Sequence, residues 1–228
     1  MNNSSISKSE WRATRRKELE LPSYTLTEEI LNAVTHGVGA GLAVAGFAAL
    51  LINGRHDVLT VTSVSIFGIT MILLYTVSAL YHALGVCKGK KICQILDHCT
   101  IFLLIAGTYT PIALLCFGGT TGWIMFAIVW VVAIVGIVLN AIDLKRFKTF
   151  SMVCYLALGW LVIFFLKPLI EDLDPQTIVY LIVGGVFYTV GAVIYGLGKK
   201  MKYMHSVWHL FVLGGTVFHY LVIYHISV

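Results

Sequence analysis

His205-Ser-Val-Trp-His209 places two imidazoles four positions apart. On a helix that spacing turns through about 40° and rises one turn, so both rings lie on one face and can chelate one metal ion. The H-x-x-x-H core of metalloprotease helices holds zinc this way, although here no glutamate follows the first histidine. Taken alone the spacing also fits a pair of histidines at a membrane interface. His82 supplies a third imidazole, and three neutral imidazoles with one position left for water form the donor set of a catalytic zinc. Asp97 is suited to bind the metal-held water or to orient a ligand ring. Ser78 lies one turn before His82 on the same face. Its hydroxyl either serves the chemistry or bonds back to the carbonyl four residues earlier. The expected cofactor is Zn2+, the expected ligands are His82, His205 and His209, and the catalytic candidates are Asp97 and Ser78. His98 points about 100° away from Asp97 and stays outside the ligand set. Glu29, Asn32 and His36 recur at spacings of three and four. They form a polar stripe that is a clamp on the bundle, a support for the ligands, or a proton path.

These groups are carried by apolar elements. The chain has 228 residues, of which 58% are apolar and 12% charged, with a mean hydropathy of +0.88. Soluble domains carry about 25% charged residues, so an ordinary soluble protein is excluded. Apolar runs near 25–53, 58–84, 95–117, 123–142, 149–167, 176–197 and 204–226 are each about long enough to cross a bilayer. The expected fold class is an all-α integral membrane protein, a seven-transmembrane helix bundle with its N-terminus inside and its C-terminus outside. Residues 1–24 form a cytosolic basic segment and 25–228 the transmembrane domain. Within the segment, Trp11 and the neighbouring arginines suit a short helix lying on an anionic leaflet and ending at Pro22. No secretory signal is expected. Thr25 and Glu28 have the spacing of a capping box that opens the first span.

The formal charge is +5, which in a membrane protein reports cytoplasmic loops and argues for no nucleic-acid partner. The groups at 8–17, 88–91, 145–148 and 199–202 contain 14 of the 16 basic residues and precede or join spans on one side. Arg55 and Lys167 lie on the other. This partition sets the orientation, and it puts Glu29, Asn32, His36, Ser78, His82, Asp97, His205 and His209 at one depth near the cytoplasmic face. His219 and His225 fall about 21 Å and more beyond His205. Five cysteines without a C-x-x-C pair are expected to be reduced. Gly37-x-x-x-Gly41, with Gly39 between, and Gly214-Gly215 allow close helix approach. Pro111 kinks its span, where Thr108 and Thr110 can bond the freed carbonyls.

Glu29-x-x-Asn32-x-x-Thr35-His36-Gly37, Ser78-x-x-Tyr81-His82, Asp97-His98 followed by Ala106-Gly-Thr-Tyr-Thr-Pro111, and His205-x-x-x-His209 together resemble the hemolysin III family of bacterial membrane proteins. That family is related to the progestin and adiponectin receptors and more remotely to alkaline ceramidases. The resemblance spans about 26–228. It implies a zinc hydrolase site in which Ser78, Asp97 and the triplet His82, His205, His209 match position by position. It also implies a bacterial plasma membrane location.

The expected function is therefore a family member with a zinc site at the cytoplasmic end of the bundle, acting on a lipid amide or ester. The alternatives are a membrane-state sensor or receptor-like protein with structural zinc, and a cytolytic pore. The expected partner is a membrane lipid. Short outer loops and a short N-terminal segment argue against a protein hormone. A pore should carry polar residues from face to face, whereas here they gather at one end.

Overall fold

The structure is a computed structural model that describes residues 7–165, 169–171, 173–197 and 201–228. Every described element is helical: α1 Lys8–Glu18, α2 Leu26–Asn53, α3 Val58–Ala83, α4 Lys88–Pro111, α5 Gly119–Gly159, α6 Pro175–Leu197 and α7 Met204–Ser227. A π-helical stretch, Ile112–Phe117, extends α4, and a 3-10 stretch, Leu161–Phe165, extends α5. Among the described residues six helices are long and apolar enough to cross a membrane, and the protein is a multi-pass membrane protein.

Local chemistry starts each helix. Ser7 caps α1 and Thr25 caps α2 with reciprocal bonds to Glu10 and Glu28, so the expected capping box at Thr25 is present. α1 stops at Glu18, ahead of Pro22. Cys87 caps α4, which begins at Lys88. The lysines at 88, 90 and 91 therefore occupy a first helical turn, not the loop the charge pattern suggested, because a polar first turn can be capped and partly buried without being apolar.

The helix Gly119–Phe165 runs 47 residues, about 70 Å if straight and more than twice the hydrocarbon thickness. It is not straight. Asp143 is non-helical within it (φ −155°, ψ 91°), and its carboxylate accepts the Arg146 backbone N–H at 2.9 Å. That is an N-cap bond, which opens a second helical segment at 144. Lys145, Arg146 and Lys148 sit in that segment and not in a loop.

The two ends of the bundle are knit separately. At one end Lys145 pairs with Glu20 at 2.7 Å, the Tyr203 N–H donates to Glu28, and Arg16 donates to the Pro22 and Tyr24 carbonyls. At the other, Arg55 donates to the Ser227 and Ile226 carbonyls, and His225 lies 3.0 Å from Thr177. The described members of the four basic groups thus share one end. Lys167, Asp172, Lys199 and Lys200 lie outside the described residues.

Among the described residues two buried clusters fill the interior. One joins α2, α3, α4 and α7 around Phe67, Leu74 and Tyr75; the other joins α4 and α5 around Phe102, Met125 and Val129. Thr108 and Thr110 donate to the Leu104 and Ala106 carbonyls. The carbonyl that Pro111 strips of its partner is that of Gly107, four residues back, so these hydroxyls do not serve it as expected. Past Pro111 the chain continues as the π-helical stretch Ile112–Phe117.

The glycine pattern also resolves differently. Gly37 and Gly41 have open space where a side chain would go, whereas a Cβ on Gly39 would meet the Tyr75 ring at 2.7 Å. Gly214 and Gly215 do lie against Phe187 and Tyr188, as expected. The useful α2 glycine is thus the middle one, because it alone faces α3. Gly39→Ala is expected to destabilise the solubilised protein by about 1–3 kcal/mol through overpacking, while Gly37→Ala, at an open helical position, leaves stability unchanged or raised. Thermal unfolding in detergent checks both.

Candidate metal centre

His82 stands in the last turn of α3, and His205 and His209 in the first turns of α7. Their Nε2 atoms converge: His205 to His82 at 3.3 Å and His209 to His205 at 3.2 Å, with a donor atom of all three within 4.8 Å of one another. For Zn–N bonds of about 2.0–2.1 Å, tetrahedral geometry sets neighbouring nitrogens about 3.3 Å apart. The donor set fits a zinc-sized ion. His209 is fully buried and His82 nearly so.

The far ring nitrogens are held so that the Nε2 lone pairs face inward. His82 Nδ1 donates to Glu29 Oε2 at 2.8 Å. Thr35 commits its hydroxyl proton to the Leu31 and Asn32 carbonyls, which leaves its oxygen to accept from His209 Nδ1 at 3.4 Å. Such partners orient a ligand ring and raise its basicity. Asn32 accepts from Ser206 Oγ at 2.5 Å, linking α2 to α7 one residue from His205. The α2 stripe is therefore more than a clamp, since Glu29 bonds one histidine of the cluster and His36 stacks on another, 3.6 Å and 11° from the His209 ring.

Sequence reasoning missed the aromatic wall and one cation. Tyr24 stacks on His205 at 5.0 Å, and Trp208 stacks on it at 5.3 Å. Tyr81 lies 4.4 Å from His82. Trp208 sits inside the His-x-x-Trp-His spacing, where its contact was readable. Tyr24 had no periodic signal. Lys90 had been counted only as a loop charge, yet it is 2% exposed and 3.0 Å from Glu29 Oε1.

The remaining candidates are placed as follows. Asp97 is buried on α4, its carboxylate 3.9 Å from His98 Nδ1. His98 is turned toward α5 and α6, bonding the Gln94 carbonyl and facing Tyr195, so it stays out of the cluster. Ser78 is fully buried, and its hydroxyl has no hydrogen-bond partner among the described residues; the bond back to the preceding turn is not made. Both nitrogens of His36 are likewise without one. His219 and His225 are at the far end, with Leu181 and Thr177.

A cavity opens from this level. Asp97, His98, His36 and His205 line one end, and its wall continues past Leu104 and Ile112 on α4 and past Val212 to His219 on α7. From His205 to His219 is about 21 Å of helix. Beyond the histidine end the lining is predominantly apolar, with Thr108, Tyr188 and His219 among its polar exceptions.

The chain is similar in sequence to known proteins. The family model described as "Haemolysin-III related" matches residues 24–220. The chain belongs to the haemolysin-III related family. It is 43% identical to "Hemolysin-3" of Bacillus cereus over 83% of this chain and 87% of that protein. Against "Hemolysin-3 homolog" of Bacillus subtilis the identity is 42%, over 85% and 91%. The human "Monocyte to macrophage differentiation factor" is a more distant relative at 25%, over 88% and 84%. For this haemolysin-III related protein, a metal held by the three imidazoles is expected to disappear on His205→Ala or His209→Ala and to survive His225→Ala. Elemental mass spectrometry of the purified variants reads the difference.

Proposed function

We propose that the protein is a seven-helix membrane hydrolase that uses Zn2+ on His82, His205 and His209 to cleave an amide or ester of a membrane lipid. The observation that carries the reading is the shared wall: His205 and Asp97 both line the polar end of a long apolar cavity. A lipid whose chain lies in the apolar part brings its carbonyl to that end.

The count of seven follows from treating the segments on either side of Asp143 as two spans. The orientation follows from the basic residues at the cluster's end, which are retained in the cytoplasm. Residues 1–24 are then a cytosolic segment, and 25–228 form the membrane domain, located in a bacterial plasma membrane.

Bound zinc would supply Lewis acidity and lower the pKa of a coordinated water toward about 7. The protein's own groups do the rest. The Asp97 carboxylate accepts the proton as the water oxygen bonds to the carbonyl carbon, then returns it to the leaving amine or alkoxide as the C–N or C–O bond breaks. Ser78 donates a hydrogen bond to the oxyanion. Its buried, unpartnered hydroxyl supports this, since such groups are rare unless held for a ligand atom or water. The apolar cavity keeps bulk water from the carbonyl.

A conducting pore is disfavoured because the cavity wall is predominantly apolar, whereas a conducting path is lined by polar groups from face to face. A sensor with structural zinc would share the histidine cluster and differ only in turnover.

Purified protein incubated with ceramides and other acyl lipids is expected to release fatty acid in a metal-dependent manner, read by mass spectrometry. Ser78→Ala should keep the metal and lose about 100- to 1000-fold in rate, the usual cost of one oxyanion donor. Asp97→Asn should keep most of the metal and lose activity near neutral pH. Absence of release across a broad panel favours the sensor, and full activity in Asp97→Asn removes the proposed base. A reporter fused after Val228 is expected to be active only on the extracytoplasmic side; a cytoplasmic signal there refutes the orientation.

A further inference from the structure

We infer that Lys90 is a positioning residue for His82, acting on the ring through Glu29 and on the backbone through the end of α3. The inference rests on the reading of His82 as a metal ligand. Lys90 stands in the first turn of α4 beside two other lysines, yet it alone of the three is buried: Lys88 is exposed, and Lys91 is half-buried, bonded to Gln94. A buried ammonium in an apolar bundle persists only with partners. Lys90 has three. Its Nζ donates to the Tyr81 carbonyl at 2.8 Å and to the Leu84 carbonyl at 3.0 Å, and it lies 3.0 Å from Glu29 Oε1.

Each partner leads to His82. Tyr81 and Leu84 flank the C-terminus of α3, where helical carbonyls lack backbone donors, so Lys90 closes the turn that carries the imidazole. The carbonyl of Tyr81 belongs to the peptide that joins it to His82. Glu29, whose Oε1 is ion-paired with the Lys90 ammonium at 3.0 Å without a hydrogen bond among the described residues, receives the His82 Nδ1–H on Oε2 at 2.8 Å. The ammonium therefore constrains both variables that aim Nε2: where the backbone sits and how the ring turns. It also lies 4.8 Å over the Tyr81 ring, which packs on His82. α2, α3 and α4 meet at this one group, and only α7, bearing His205 and His209, is aimed by other means.

The consequence is a loss of metal affinity on changing a lysine that touches neither metal nor lipid. Partners behind a ligand histidine typically matter by 10- to 100-fold in affinity. Zinc affinity is measured by chelator competition on full-length protein in detergent, for wild type, Lys90→Met, Glu29→Gln and the double variant, with thermal unfolding of the metal-free forms alongside. Each single variant is expected to bind zinc about 10- to 100-fold more weakly. The double variant should lose less than the product of the two single losses, because the Glu29 route is cut by both changes while the backbone route belongs to Lys90 alone. Should Lys90→Met not fold, Lys90→Gln replaces it, since its amide still donates to the two carbonyls but cannot pair with Glu29.

Wild-type affinity in the lysine variant overturns the inference, and so do losses that multiply in the double variant, which would mean that Lys90 acts independently of Glu29. Wild type that binds no zinc overturns the metal reading itself, an outcome distinct from both.

Discussion

Three imidazole nitrogens spaced 3.2 and 3.3 Å apart inside an apolar bundle impose an electrostatic constraint that the surrounding structure answers. Lone pairs brought this close repel unless a proton or a cation lies between them, and apolar surroundings offer no water to screen them. The fold holds the arrangement from behind each ring. Glu29 accepts the His82 Nδ1–H, and the Thr35 oxygen faces His209 Nδ1. His205 is stacked against Tyr24 and against Trp208. The donors on these outer nitrogens leave the inner ones as lone pairs, which is the state a metal requires.

The cluster also explains why one end of the bundle is knit so densely. α2 contributes Glu29, Asn32, Thr35 and His36 over about two turns, and each contacts a residue of the cluster or its immediate support. The close approach of α2 to α3 at Gly39 and Tyr75 lies one turn further along, where the Tyr75 ring meets His36 edge-on. Packing and chemistry are thus continuous along this interface. Farther from the cluster the polar groups thin out and the cavity wall becomes predominantly apolar. A polar carbonyl and an apolar chain have separate places in such a cleft.

Much of this was legible in the sequence because the bilayer restricts what polar residues can do. In a chain so apolar, a histidine or aspartate inside a span is costly. The spacing of His205 and His209, with the depth of His82, was enough to bring the three together. The capping box at Thr25 and the gathering of the basic groups at one end were equally readable. Lys90 was not, because counting cations for orientation treats all of them as solvated, whereas its burial depends on three partners from two other helices. The inner limit of α4 was misjudged for the same reason. Gly39 could not be separated from Gly37 and Gly41 without knowing which face of α2 meets α3. The break at Asp143 was visible only as a charge between apolar runs; its N-cap bond to Arg146 shows that the chain restarts its helix there at once, with no loop.

The central claim is that three imidazoles hold a zinc ion and leave a position for an oxygen ligand. X-ray absorption at the zinc edge of the purified, zinc-loaded protein tests it most directly, because scattering distances identify the donor atoms. The account predicts three nitrogen scatterers with imidazole outer-shell features at about 2.0–2.1 Å and one oxygen at a similar distance. Sulfur scattering near about 2.3 Å, or a coordination shell made only of oxygen, would contradict it.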